Sequence, residues 1–160
     1  MLTDYSTLTD YQKDILAQCR YGYWLTNFQH KFYQRANAVA NFLQILLGGA
    51  VVATVIQQSP FATLFGFIVA TIGALQLVVP FGQYAERADK ASQRFHDFEN
   101  KFAKMPEADA FEKLSDLQSF GVSPWNGMEI LAHNVVCDLH KSPEEKQKET
   151  LSSKFFKLFI

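Results

Sequence analysis

Residues 36–85 contain no Asp, Glu, Lys, Arg or His. In a chain of which 19% is charged, a gap of 50 residues excludes an ordinary solvated surface along that stretch. The formal net charge of -1 and the mean hydropathy of -0.07 are values a water-soluble protein could show, so bulk composition conceals the gap. Cysteine is scarce. Cys19 and Cys137 lie far apart without zinc-type spacing, which excludes a disulfide framework and fits a reducing compartment. Phosphate-binding glycine loops, a nucleophile elbow and paired-cysteine motifs are all missing, so no enzymatic activity and no cofactor are expected. The eight glycines lie mostly inside the uncharged stretch or at expected helix ends. Residues 1–14 are polar, so no cleavable signal peptide is expected.

What fills the gap is two apolar segments. Residues 36–56 read ANAVANFLQILLGGAVVATVI and residues 61–81 read FATLFGFIVATIGALQLVVPF. Each is close to the ~20 residues that cross a ~30 Å hydrocarbon core as a helix. Backbone amides cannot stay unpaired in lipid, so both are expected to be helical. The neutral connector Gln57-Gln58-Ser59-Pro60 can join only two antiparallel neighbours at one face of a membrane. Pro80 falls at the far end of the second span, where a kink is tolerable. Lys31 and Arg35 precede the first span, Arg87, Lys90 and Arg94 follow the second, and the connector carries no Lys or Arg. The positive-inside rule therefore predicts a two-pass protein of the inner membrane with both termini cytoplasmic. Tyr21, Tyr23, Trp24, Phe28, Phe32, Tyr33, Phe81 and Tyr84 crowd the cytoplasmic boundary as an aromatic belt would. The competing expectation is a soluble protein with the hairpin in its core, but 160 residues leave little chain to bury two full spans.

Past the second span, Tyr84, Ala88, Ala91, Phe95, Phe98, Phe102 and Met105 alternate spacings of four and three, a coiled-coil seam. The second membrane helix is therefore expected to continue into the cytoplasm. Tyr21, Leu25, Phe28 and Phe32 make a similar stripe leading into the first span. Phe28, Phe32, Phe95, Phe98 and Phe102 are accordingly the candidate packing or assembly seam, with an antiparallel pair inside one chain preferred to an oligomeric coiled coil. Met105-Pro106 should end the long helix. A short amphipathic helix should follow to Gly121, with Phe111, Leu114 and Leu117 on one side. Ser123-Pro124 reads as the start of another helix with Met128, Leu131, Val135 and Leu139 on one face, and Ser142-Pro143-Glu144-Glu145 repeats that start signal. Residues 106–145 carry eight acidic side chains against Lys113 and Lys141, while residues 146–160 form a basic amphipathic tail ending KFFKLFI. The expected organisation is thus a cytoplasmic N-terminal helix (1–35), a transmembrane hairpin (36–85, spans about 36–57 and 61–81), a cytoplasmic helical region (86–145) and the tail (146–160). The expected fold class is an all-α membrane protein, a two-helix transmembrane hairpin with long helices extending into a cytoplasmic helical bundle.

Within the first span Asn37, Asn41 and Gln44 share one face, and Gln76 lies near the same end of the second. Amides in lipid need partners and commonly find them on neighbouring helices. The stripe is therefore either a pore lining or oligomer contact, or the polar glue of the hairpin. Gly66, Ala70 and Ala74, and likewise Gly49 and Ala53, have the four-residue spacing that permits close helix approach. His133, Cys137 and His140 share a helix face at spacings of four and three. No fourth ligand is evident beside Asp138, so no metal site is expected.

The segment Tyr23-Trp24 through Phe32-Tyr33-Gln34-Arg35-Ala36-Asn37, the tight hairpin, the charged helix beginning Tyr84-Ala85-Glu86-Arg87-Ala88 and the late Ala132-His133-Asn134 together resemble the SLATT family. These are two-transmembrane effectors associated with nucleotide-signalled prokaryotic conflict systems. The resemblance covers roughly residues 10–145 through loose motifs. It implies an effector of antiphage defence that oligomerises and permeabilises the membrane, causing cell death or growth arrest. Its expected partners are membrane lipid, further copies of itself, and a partner protein or nucleotide-derived second messenger as trigger, without direct binding to nucleic acid. No separate ligand-sensor domain of the kind fused members carry is expected within these residues. The alternative from a different class is a non-conducting membrane anchor or scaffold that recruits a soluble partner.

Overall fold

A computed structural model describes residues 8–56, 61–102, 104–120, 123–140 and 142–160. The expected connector at residues 57–60 and the expected helix stop at Gly121 lie outside the described residues. Every regular element among those described is helical: α1 (Asp10–Ile56), α2 (Phe61–Val78), α3 (Phe81–Phe102), α4 (Glu107–Gln118), α5 (Asn126–Leu139), a 3-10 turn (Pro143–Glu145) and α6 (Leu151–Lys157). The chain divides into two compact units: one spans Tyr33–Gln83, the other joins the residues up to Phe32 with Tyr84–Ile160.

α1 begins with a reciprocal cap. The Gln12 amide N–H donates to Thr9 Oγ1 at 3.2 Å and the Thr9 N–H donates to Gln12 Oε1 at 3.1 Å. Two of the donors that a helix start leaves unpaired are thereby satisfied. The second limb is interrupted rather than continuous. Pro80 has no N–H to give, so α2 stops at Val78 and α3 restarts at Phe81, bridged by a 2.8 Å bond from the Phe81 N–H to the Val79 carbonyl.

Among the described residues, two helical stretches, Asp10–Ala53 and Phe61–Phe102, each hold a window long and apolar enough to cross a membrane, at mean hydropathies of 1.6 and 2.1. Neither apolar window is buried inside the chain, which a core helix of a soluble protein would be. Ile45, Phe67, Leu77 and Val78 are more than 70% exposed. The Thr71 hydroxyl donates back to the Phe67 carbonyl at 2.9 Å, the usual way a helix satisfies a hydroxyl in apolar surroundings.

In the other unit the early part of α1 pairs antiparallel with α3. The register is read from His30 Nδ1 beside the Ala85 carbonyl at 3.0 Å, Gly22 under the Phe95 ring, and Arg20 on Glu99. The buried face of α3 is Ala85, Ala88, Ala91, Ser92, Phe95, Phe98 and Phe102; five of the seven expected heptad positions are there, while Tyr84 is only half-buried and Met105 lies half-buried beyond the helix end. α4 completes this core with Ala110 and Leu114, backed by Leu117. Phe111, expected on that face, is 59% exposed, because at about 100° per residue it lies well round the helix from the centre of the side shared by 110, 114 and 117.

α5 starts at Asn126, not at Ser123-Pro124; Trp125 occupies the cap without a side-chain bond. It buries Met128, Leu131, Ala132 and Val136, while Leu139 is left 45% exposed at its end. The Ser142-Pro143 signal produces only the 3-10 turn. α6 is capped by Thr150, whose Oγ1 accepts from the Ser153 N–H at 3.3 Å, and it lies against α5. Gly127 makes that approach possible: a Cβ there would come within 2.8 Å of the Ser152 and Ser153 backbone.

Candidate functional site

Two of the four candidate amides bond across the hairpin. Gln76 Nε2 donates to Asn41 Oδ1 at 2.9 Å, joining α1 to α2. Gln44 Nε2 lies 3.4 Å from where a Cβ on Gly73 would stand, and Asn37 Nδ2 3.8 Å from the same point on Gly82. A Cβ at either place would make ordinary van der Waals contact, so these amides lie against the second limb without needing a glycine there. Asn41 is nonetheless an exposed residue. The small residues behave differently. A Cβ on Gly48, Gly49 or Gly66 would meet nothing within 4 Å, so these positions do not draw the two limbs together.

The aromatic seam divides in two. Phe95, Phe98 and Phe102 pack with Ile15, Leu16 and Cys19 of α1 and with α4. Phe28 and Phe32 pack instead with Met128, Leu131 and Ala132 of α5 and with Phe156 of α6. The antiparallel register explains the division. It sets the small residues Ala85, Ala88, Ala91 and Ser92 opposite the stretch of α1 that carries Leu25, Phe28 and Phe32, and the phenylalanines of α3 opposite earlier turns. Phe32 contacts three rings from the C-terminal half, with centroid distances of 6.1 Å to Trp125, 5.1 Å to Phe156 and 5.7 Å to Phe159.

No protein-family model, curated protein or solved structure matches this chain.

Sequence reasoning did not find the buried polar cluster beside the first core. Arg20 Nε donates to Glu99 Oε1 at 2.8 Å, with side chains only 8% and 12% exposed. Arg20 Nη1 lies 3.1 Å from His140 Nε2, so α1, α3 and the end of α5 meet at one guanidinium. Burial first, and the Arg20 charge second, hold the His140 pKa below its ordinary 6.5, against the opposing pull of Glu99 and Glu145. Cys19, whose Sγ donates to the Phe95 carbonyl at 3.3 Å, has its pKa pushed up to about 12 by burial and by Glu99. A thiol so held is not a nucleophile at neutral pH. The one sequence signal for this cluster was an arginine inside an otherwise apolar helix face.

The His133, Cys137 and His140 rings and thiol do not gather round a point. His133 Nε2 sits 3.0 Å from the Glu145 carbonyl and 3.4 Å from Cys137 Sγ, while His140 faces Arg20. Among the described residues no three His, Cys, Asp or Glu side chains could hold one metal ion. These residues do border a cleft of about 700 Å³ with Tyr21, Lys13, Asp10, Asp14 and Glu145. Three carboxylates against one lysine give a phosphate group little to bind there. Asn134 fastens the tail to α5. Its Nδ2 donates to the Gln147 carbonyl at 2.9 Å and its Oδ1 accepts the Gln147 N–H at 2.8 Å.

Proposed function

We propose that this protein is a two-pass inner-membrane effector of a prokaryotic antiphage defence system. Triggered through its cytoplasmic helices, it assembles and permeabilises or depolarises the membrane, causing cell death or growth arrest. The observation that carries the reading is Asn41, a residue that stays exposed although its amide bonds Gln76, within 50 residues that hold no charge. An amide edge facing lipid is unfavourable, and a second copy of the hairpin satisfies it. The unburied apolar windows supply the surface that lipid covers, and the flanking lysines and arginines support a cytoplasmic side for both termini by the positive-inside rule. The resemblance to SLATT proteins supplies the defence context.

A specific observation favours a second reading. Asn37 and Gln44 turn onto Gly82 and Gly73 of the chain's own second limb, as they would in a hairpin that conducts nothing and serves as an anchor or scaffold. Membrane potential separates the two. Under the first reading, expression together with the trigger collapses the potential within the time the protein takes to accumulate. An unchanged potential at full membrane level of the protein leaves the scaffold reading in its place.

A further inference from the structure

α6 has two apolar faces. Ser153 and Phe156 are buried in the core that contains Phe28 and Met128, with Ile160 packed beside them. The opposite face carries Leu151, Phe155 and Leu158, one turn apart and 88%, 49% and 79% exposed. Lys154 and Lys157 flank this outer face; Lys157 also pairs with Glu149. Trp125, 52% exposed, stands 5.6 Å ring to ring from Phe156, and Phe155 stands 4.9 Å from Phe159. A water-exposed helix with apolar residues on both faces needs a second cover.

The cover follows from where this cluster is attached. Its rings close on Phe32, which lies on α1 four residues before Ala36, where the uncharged run begins. Sequence this close to a membrane span falls at the level of the headgroup layer. An aromatic cluster with exposed leucines and flanking lysines matches the composition of segments that lie in that layer against anionic lipid. Gly127 and the paired hydrogen bonds between Asn134 and Gln147 hold the segment rigidly in this pose.

We infer that α6 and Trp125 form an interfacial platform that rests on the headgroups of the membrane that the hairpin enters, with Leu151, Phe155 and Leu158 dipping toward the acyl chains. The inference rests on the membrane reading above. The platform makes the C-terminal tail a third point of membrane attachment.

Trp125 reports on it directly. The full-length Trp24→Phe variant, whose remaining tryptophan is Trp125, is reconstituted into phosphatidylglycerol–phosphatidylcholine vesicles with or without bromine on the upper acyl carbons. The platform predicts a blue-shifted emission that loses intensity in the brominated vesicles. It also predicts that Leu151→Ser, Phe155→Ser and Leu158→Ser together abolish the quenching with helical circular dichroism unchanged. Unquenched Trp125 in protein that resists carbonate extraction overturns the platform and leaves the two-span reading standing. Extraction by carbonate overturns both. Disulfide-linked dimers of a Leu158→Cys variant, with Trp125 unquenched, would overturn the platform by showing that a second copy covers this face.

Discussion

Arg20 and Glu99, 79 residues apart in sequence, form a 2.8 Å ion pair that is nearly closed to solvent and joins α1 to α3. Removing one partner strands the other charge. Arg20→Met is expected to cost about 3–5 kcal/mol, read as a fall in the unfolding midpoint of the detergent-solubilised protein. The double variant Arg20→Met with Glu99→Leu should recover most of that loss, since two apolar side chains leave no buried charge. A double variant as unstable as the single would show that the pair has a role beyond charge neutralisation.

The aromatic residues of α3 and α4 should respond very differently to truncation. Phe98 is 5% exposed in the core with Ile15 and Leu16, so Phe98→Ala should cost about 3–5 kcal/mol. Phe111, though a candidate for the same core by its neighbours in sequence, should tolerate Ala within ~0.5 kcal/mol. Equal sensitivity by thermal unfolding would contradict the placement of α4.

At the hairpin, Asn41→Leu removes the amide bonded to Gln76 while keeping similar bulk. Interhelical amide bonds in membranes average ~0.6 kcal/mol, so expression and insertion should stay near normal. The effector reading predicts that toxicity and leakage vanish. The scaffold reading predicts that any phenotype follows protein level alone. Immunoblotting of washed membranes beside a potential-sensitive dye distinguishes them.

His140 makes the helical unit sensitive to acid. Its folded-state pKa lies below the ordinary 6.5, so the unfolded chain binds the proton more readily. The associated stability is complete above pH 6.5 and is lost as pH falls below it toward the folded-state value. A His140→Gln variant should show a flatter dependence of unfolding midpoint on pH between about 7 and about 5. Parallel curves for the two proteins would remove His140 as the cause.

Orientation is open to thiol labelling because both native cysteines are buried. A Ser59→Cys variant should react with an impermeant maleimide in intact cells. A Lys104→Cys variant, at an exposed position, should react only after lysis. Labelling at position 104 from outside would reverse the topology.

The apolar spans, the heptad of α3 and the stripe on α1 were legible because each is a local period, carried by residues three and four apart. Their partners were not. Whether Phe28 meets α3 or α5 depends on the antiparallel register, and that is set by how the small residues from Ala85 to Ser92 and the rings of Phe95 to Phe102 fill the space against α1. Ser123-Pro124 misled because a Ser-Pro start is a local preference, which the packing of Trp125 and Gly127 against Phe156 overrides. Arg20, Glu99 and His140 come from three distant helices, and no spacing rule links them. The amides were legible as a stripe, yet which of them bonds across the hairpin, Asn41 to Gln76, shows only once the limbs are paired.

The fit of Phe95 over Gly22 bears on how this sequence can change over generations. A Cβ on residue 22 would stand 2.5 Å from that ring, so any larger side chain there collides before it can be selected. Shrinking residue 95 first leaves a void but no collision. The two positions can therefore exchange volume in one order only, and descendants with a side chain at 22 should carry a smaller residue at 95, a correlated pair from two different helices.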